Sequence, residues 1–136
     1  PNAKIIDARR NPMDGCFSCF KQYFAKGQHF TYDLDDIARY YKDYLRLMDF
    51  WNKFFPGSIH TVLYEDVINN SEEEVRKMLN YLQLPFEESC MDFYKSSRPV
   101  KTASSEQVRQ PIYKSALNYW KNFENDLSVL SKHFNE

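Results

Sequence analysis

The sequence predicts an α/β protein, helix-rich, with about two strands lying parallel in one sheet. Three observations carry this expectation. Ile5-Ile6 and the run Ile59-His60-Thr61-Val62-Leu63-Tyr64 are short and rich in β-favouring residues. Helical patterning of crossover length separates them, so the strands run parallel rather than as a hairpin. Beyond the second run the chain is helical again, or polar and without period, and no internal repeat or low-complexity segment interrupts it.

The first strand is expected over residues 3–8, apolar at Ile5 and Ile6. A helix follows over about 14–25 and is closed by Gly27. Asp33 then caps a long helix running to about Phe55. Its apolar positions Ile37, Tyr41, Tyr44, Met48, Trp51 and Phe55 recur at spacings of four and three, the pattern of one buried stripe. Pro56-Gly57 stops it. After the second strand, Ser71 with Glu74 forms a capping-box pattern opening a helix through Val75, Met78, Leu79 and Leu82. Pro85 starts a short helix through Cys90, Met91 and Phe93. Residues 97–111 read as a long loop. Ser115 caps a helix carrying Leu117 and Trp120, and a last helix covers about 127–134.

Composition narrows the function classes. The 136 residues suffice for one domain with a modest core, and 43% hydrophobic with 17% aromatic content excludes a disordered tail. A formal net charge of -1 provides no global basic field, so no nucleic acid is expected and any anion site must be local. No apolar run is long enough to span a membrane, so no membrane partner is expected. Three cysteines, an odd number, argue against a disulfide framework and for a reducing, cytoplasmic setting. Two parallel strands are too few for a stable sheet, and the chain opens at Pro1 with a strand close behind. The expectation is a truncated fold whose exposed sheet edge self-associates or takes a completing partner.

The densest chemistry lies in Arg9-Arg10-Asn11-Pro12-Met13-Asp14-Gly15-Cys16-Phe17-Ser18, where a strand hands over to a helix. An arginine leaving a strand and a serine about two helical turns later can converge on one anion, and the geometry suits a phosphate monoester. The same run also fits a solvated turn with Pro12 at the first helical position. Thr102-Ala103-Ser104-Ser105-Glu106-Gln107-Val108-Arg109-Gln110-Pro111 packs hydroxyls, an amide and an arginine into a loop suited to a polar ligand, or to a plain connector. Tyr64-Glu65-Asp66 ends the second strand at the sheet edge where ligands bind in open parallel sheets. Glu65 and Asp66 read as structural, holding local backbone or a basic side chain. Cys16 and Cys19 form a lone C-x-x-C without a second pair, so zinc is not expected and both read as buried helical thiols. His29, His60 and His133 lie far apart, His60 reading as a packed strand residue. With three glycines and no G-x-x-x-x-G-K-[ST], the chain carries no glycine-rich phosphate cradle.

Over nearly its whole length the chain resembles the carboxy-terminal half of sulfotransferases that use 3′-phosphoadenylyl sulfate. The resemblance is strongest to the bacterial branch with upstream tetratricopeptide repeats, related to tyrosylprotein sulfotransferases. It rests on Pro1-Asn2-Ala3-Lys4-Ile5-Ile6, Arg10-Asn11-Pro12-Met13-Asp14, Ser18, Tyr40-Tyr41, Leu47-Met48 and Tyr64-Glu65-Asp66. Above all it rests on the run from Thr102 through Pro111 to Ile112-Tyr113, with Trp120 in the place of the family's tryptophan. It implies a P-loop-NTPase-like sulfotransferase fold, residues 1–136 being the carboxy-terminal portion of a single domain. By position it implies that Arg10 and Ser18 hold the 3′-phosphate and Tyr64 contacts adenine. Ser104, Gln107, Val108 and Arg109 would belong to a loop folding over the nucleotide. Relatives commonly place a basic residue where this chain has Tyr119, with Lys121 a substitute. The 5′-phosphosulfate loop and the acid–base residue would lie upstream, so the chain supplies no catalytic residue and is inactive alone.

The function expected is therefore the binding of 3′-phosphoadenylyl sulfate, or its product adenosine 3′,5′-bisphosphate, for sulfuryl transfer to an unidentified acceptor hydroxyl without a metal. Two competitors remain: a P-loop kinase relative, and a helical protein-interaction module that binds no nucleotide.

Overall fold

The computed structural model describes residues 3–24, 26–100, 106–112 and 114–134. Its centre is a parallel pair, β1 (Ile5–Arg9) and β2 (Ile59–Leu63), in the register Ile5 to Ile59, Asp7 to Thr61 and Arg9 to Leu63. Helices fill the crossover: α1 (Pro12–Lys21), a 3-10 turn His29–Tyr32, and α2 (Leu34–Phe54). Two more follow β2, α3 (Tyr64–Asn69) and α4 (Ser71–Leu82). The expected class, α/β and helix-rich with two parallel strands, is the class observed.

Helix α1 starts earlier than its apolar pattern suggests, because Asn11 caps it. The Asn11 side chain accepts from the Met13 N–H at 3.0 Å and the Asp14 N–H at 3.4 Å, and Pro12 takes the first position, where no N–H is needed. It also ends four residues short of Ala25, at Lys21. Asp33 caps α2 as expected, accepting from Asp35 and Asp36. The Ser71 capping box does not form. Ser71 is already inside α4 and turns its hydroxyl back to the Val67 carbonyl, 2.7 Å away, which welds α3 to α4.

The core lies between α1, α2 and the end of the chain, with Met13, Cys16, Phe17, Ile37, Ala38, Leu127 and Leu130 buried together. Leu130 comes from α5 (Ser128–Ser131), a single turn where a longer helix was expected. The expected Ser115-capped helix is likewise replaced by turns and a 3-10 stretch, Tyr119–Phe123. Pro85 is followed by two 3-10 turns, Glu88–Cys90 and Phe93–Lys95, rather than an α-helix. Tyr119–Phe123 packs on α1 and Ser128–Ser131 on α2, so there tertiary packing overrides local propensity, while Phe93–Lys95 packs on the turn Gln107–Arg109.

The long stripe on α2 divides in two. Ile37 is 3% exposed, but Trp51 is 38% and Phe55 54% exposed. Met48, Trp51 and Phe55 line an open apolar cleft of about 440 Å³ with Ala3, Ile5, Ser58 and Ile59. One continuous buried stripe was expected; its second half lies against the uncovered end of the sheet.

Asp7 is buried on the α2 side of β1 and is the hub of a polar cluster. It accepts from Arg9 Nε at 2.6 Å, from Thr61 Oγ1 at 3.4 Å and from the Tyr44 hydroxyl. Burial, and then the hydrogen bond to Asp7, push the Tyr44 phenol from its ordinary 10.0 up to about 12. Folding therefore favours the protonated ring. That stability is fully present below the ordinary tyrosine range and is lost as pH rises from about 10 towards 12. Alkaline unfolding should thus gain a component in this window that Tyr44→Phe abolishes, together with part of the late phenolate absorbance. A variant that titrates and unfolds like the parent would contradict this.

A polar cavity at the carboxyl ends of the strands

The register of the sheet brings the first two site residues together. Arg9 pairs with Leu63, so Arg10 and Tyr64, the next residues on each strand, leave the sheet side by side. The Arg10 guanidinium carbon sits 4.8 Å from the Tyr64 ring centre. Tyr41 on α2 donates its hydroxyl to the Arg10 carbonyl at 2.9 Å, and Glu65 accepts from the Asn11 N–H at 2.8 Å. The strand-to-helix turn is therefore fixed from both sides, with Glu65 in the structural part expected of it.

Arg10 and Ser18 line one cavity of about 230 Å³ with Tyr64, Asp14, Lys21, Ser115, Ala116 and Tyr119. The far wall arrives from the end of the sequence. Asp14, 4% exposed, accepts from the Asn118 N–H at 2.7 Å with one oxygen and from the Trp120 N–H at 3.3 Å with the other. Arg10 Nη2 donates to the Ala116 carbonyl at 2.7 Å. Asn118 adopts a left-handed backbone (φ 56), a conformation asparagine tolerates, which turns its N–H and that of Trp120 towards Asp14. Both oxygens of the cavity's carboxylate are thus committed to backbone donors. Arg10 Nε, by contrast, is buried with no hydrogen-bond partner among the described residues. A buried guanidinium N–H left unpaired is costly, and an anion in the cavity would satisfy it.

The described part of the polar loop is placed differently. Ser104 lies outside the described residues. Gln107, Val108 and Arg109 form a 3-10 turn, and neither Val108 nor Arg109 is among the described residues lining the cavity. Arg109 donates instead to the Ser96 carbonyl and, at 2.6 Å, to the Arg98 carbonyl, pinning the preceding loop. Lys121 does not reach the cavity wall either. The residues that sequence reasoning missed are Asp14, Lys21, Ser115 and Ala116. For Lys21 a signal existed, since it lies three residues after Ser18 on the same helical face.

The cysteines are helical, but only Cys16 is buried; Cys19 is exposed. Burial pushes the Cys16 thiol up to about 12, which suits an inert core residue rather than a nucleophile. Three carboxylates, Asp33, Asp35 and Asp36, lie close together at the start of α2, away from the cavity, where Asp33 serves as the cap. Among the described residues no helix is long and apolar enough to cross a membrane.

The fold and cavity define an α/β protein with a polar cleft outside the carboxyl ends of parallel strands. Comparison with known proteins narrows this further. A family model described as "Sulfotransferase family" matches residues 1–88, and the chain belongs to the sulfotransferase family. It is similar to a protein of Aquifex aeolicus (strain VF5) named "Uncharacterized protein", 39% identical over 132 residues. That alignment covers 94% of this chain and 17% of the Aquifex protein, so the chain spans about a sixth of that relative's length. A shorter similarity, 42% identity over 41 residues, joins it to "WSCD family member CG9164" of Drosophila melanogaster, covering 30% of this chain and 13% of that protein.

Proposed function

We propose that this chain grips the 3′-phosphate and adenine of 3′-phosphoadenylyl sulfate, the donor in sulfuryl transfer to an acceptor hydroxyl. One observation carries the reading: Arg10, whose buried Nε has no hydrogen-bond partner among the described residues, and Ser18 line the same cavity, with the Tyr64 ring beside the guanidinium. A guanidinium offers two parallel donors to a phosphate, serine adds a third, and the tyrosine ring offers a face on which a base can stack. Membership of the sulfotransferase family supports the choice of donor over other nucleotides.

The chain's share is binding. In the transfer itself the acceptor oxygen forms a bond to sulfur, the bond from sulfur to the 5′-phosphate oxygen breaks, and the acceptor proton passes to a base. Among the described residues lining the cavity no nucleophile is hydrogen-bonded to such a base, and the sequence holds no glycine-rich cradle for the leaving phosphate. Arg10, Ser18 and Tyr64 fix the donor's far end, so that binding energy remote from sulfur serves to orient the reacting end.

Calorimetry with adenosine 3′,5′-bisphosphate, AMP and ATP tests this. The bisphosphate should bind more tightly than either competitor. A preference for ATP would support a kinase-like reading instead, and silence towards all three would support a protein-interaction module.

A further inference from the structure

We propose that Lys21 is a second phosphate-binding cation of this cavity, held in place by Tyr119, and that it makes the cavity selective for a dianionic monoester. The inference rests on the nucleotide reading above and deepens it. Lys21 ends α1 one turn after Ser18, so the hydroxyl and the ammonium line the same cavity as Arg10. Its Nζ lies 4.0 Å from the Tyr119 ring centre and 4.9 Å from that of Phe17. These two rings stack on each other at 6.3 Å. They form an aromatic shelf that steadies the ammonium without neutralising it.

The charge pattern points to a ligand. Among the described residues no carboxylate pairs with Lys21. The nearest acid on the same helical face, Asp14, has both oxygens occupied by the Asn118 and Trp120 N–H groups. The cavity therefore presents two cations, Arg10 and Lys21, with its one carboxylate already engaged by backbone donors. A single arginine matches one negative charge. Two cations flanking a hydroxyl match a phosphate monoester, which carries close to two charges at neutral pH because its second ionisation falls near pH 6. Tyr119 sets the position: its 3-10 turn is tied to α1 through Asp14, which brings the shelf to the ammonium, and Arg10 joins the same wall through its own bond to the Ala116 carbonyl.

The test compares Lys21→Met, which keeps an unbranched stem on the rings, with Lys21→Arg in the intact protein. Calorimetry is run with adenosine 3′,5′-bisphosphate and with AMP, which lacks the 3′-phosphate, at pH 5.5 and 7.5. Lys21→Met should cut the preference for the bisphosphate by about tenfold, the worth of one charge-assisted contact, with AMP binding unchanged. Lys21→Arg should restore most of the preference. In the parent the preference should grow between pH 5.5 and 7.5 as the phosphate gains its second charge, and in Lys21→Met that growth should shrink. If the parent prefers the bisphosphate and Lys21→Met keeps both the preference and its pH dependence, the role of Lys21 is overturned and the nucleotide reading survives. A parent with no preference for the bisphosphate overturns both.

Discussion

Arg10→Ala in the intact protein is expected to weaken binding of adenosine 3′,5′-bisphosphate by about a hundredfold, while AMP binding falls far less. The magnitude follows from a guanidinium lost from a bidentate phosphate contact, about 2–3 kcal/mol for a charge-assisted pair. The substitution also removes the cation beside the Tyr64 ring and the donor to the Ala116 carbonyl, so a part of the loss falls on adenine and on the cavity wall. Arg10→Lys separates the two contributions. It keeps the charge and loses the planar fork, and it should recover only a minor share of the affinity. Isothermal titration with both nucleotides measures this, and equal losses for both would place the 3′-phosphate elsewhere.

Asp14→Ala is expected to be the most destabilising single change at the site, by about 3 kcal/mol, or about 10 °C in Tm for a chain of this size. The reason is topological. Its two hydrogen bonds join α1 to residues more than a hundred positions later, and alanine leaves two N–H groups unsatisfied beside a core that includes Cys16 and Phe17. Leu130→Ala is the control. It opens a cavity under a fully buried side chain and should cost a similar amount, about 2–5 kcal/mol, without freeing the wall formed by Ala116 and Tyr119. At a temperature where both variants are folded, Asp14→Ala should therefore bind the bisphosphate more weakly than Leu130→Ala. Thermal melts followed by calorimetry at that temperature decide it, and equal affinities would mean that the wall does not depend on Asp14.

The parts of the fold that local chemistry governs were legible in the sequence. Ile5-Ile6 and residues 59–63 became the parallel pair, and Asp33 capped α2 where a short acidic side chain before an amphipathic run belongs. Other local signals were present and lost to competitors. Asn11 outranked the apolar pattern in setting the start of α1, and the Ser71 hydroxyl found the Val67 carbonyl before it could act as a cap. The α2 stripe carried the right period, yet period alone does not say which half of a face has something to pack against. The site divides along the same line. Arg10, Ser18 and Tyr64 sit at strand ends and on the first helix, where spacing can be read. The wall of Ser115, Ala116 and Tyr119 is tied to the site by the Arg10 donation to the Ala116 carbonyl and by the Asn118 and Trp120 N–H groups donating to Asp14, and no spacing rule spans that distance. Lys21 was within reach of spacing, three residues after Ser18 on α1, but the Tyr119 ring that holds it comes from that wall.

The central claim is that one ribose-borne phosphate is held between the end of β1 and the inner face of α1. A crystal structure of the intact protein with adenosine 3′,5′-bisphosphate tests it most directly. The 3′-phosphate should lie within hydrogen-bonding distance of the Arg10 guanidinium, including Nε, and of the Ser18 hydroxyl, with adenine near Tyr64. A nucleotide bound with its 3′-phosphate away from both side chains would contradict the account.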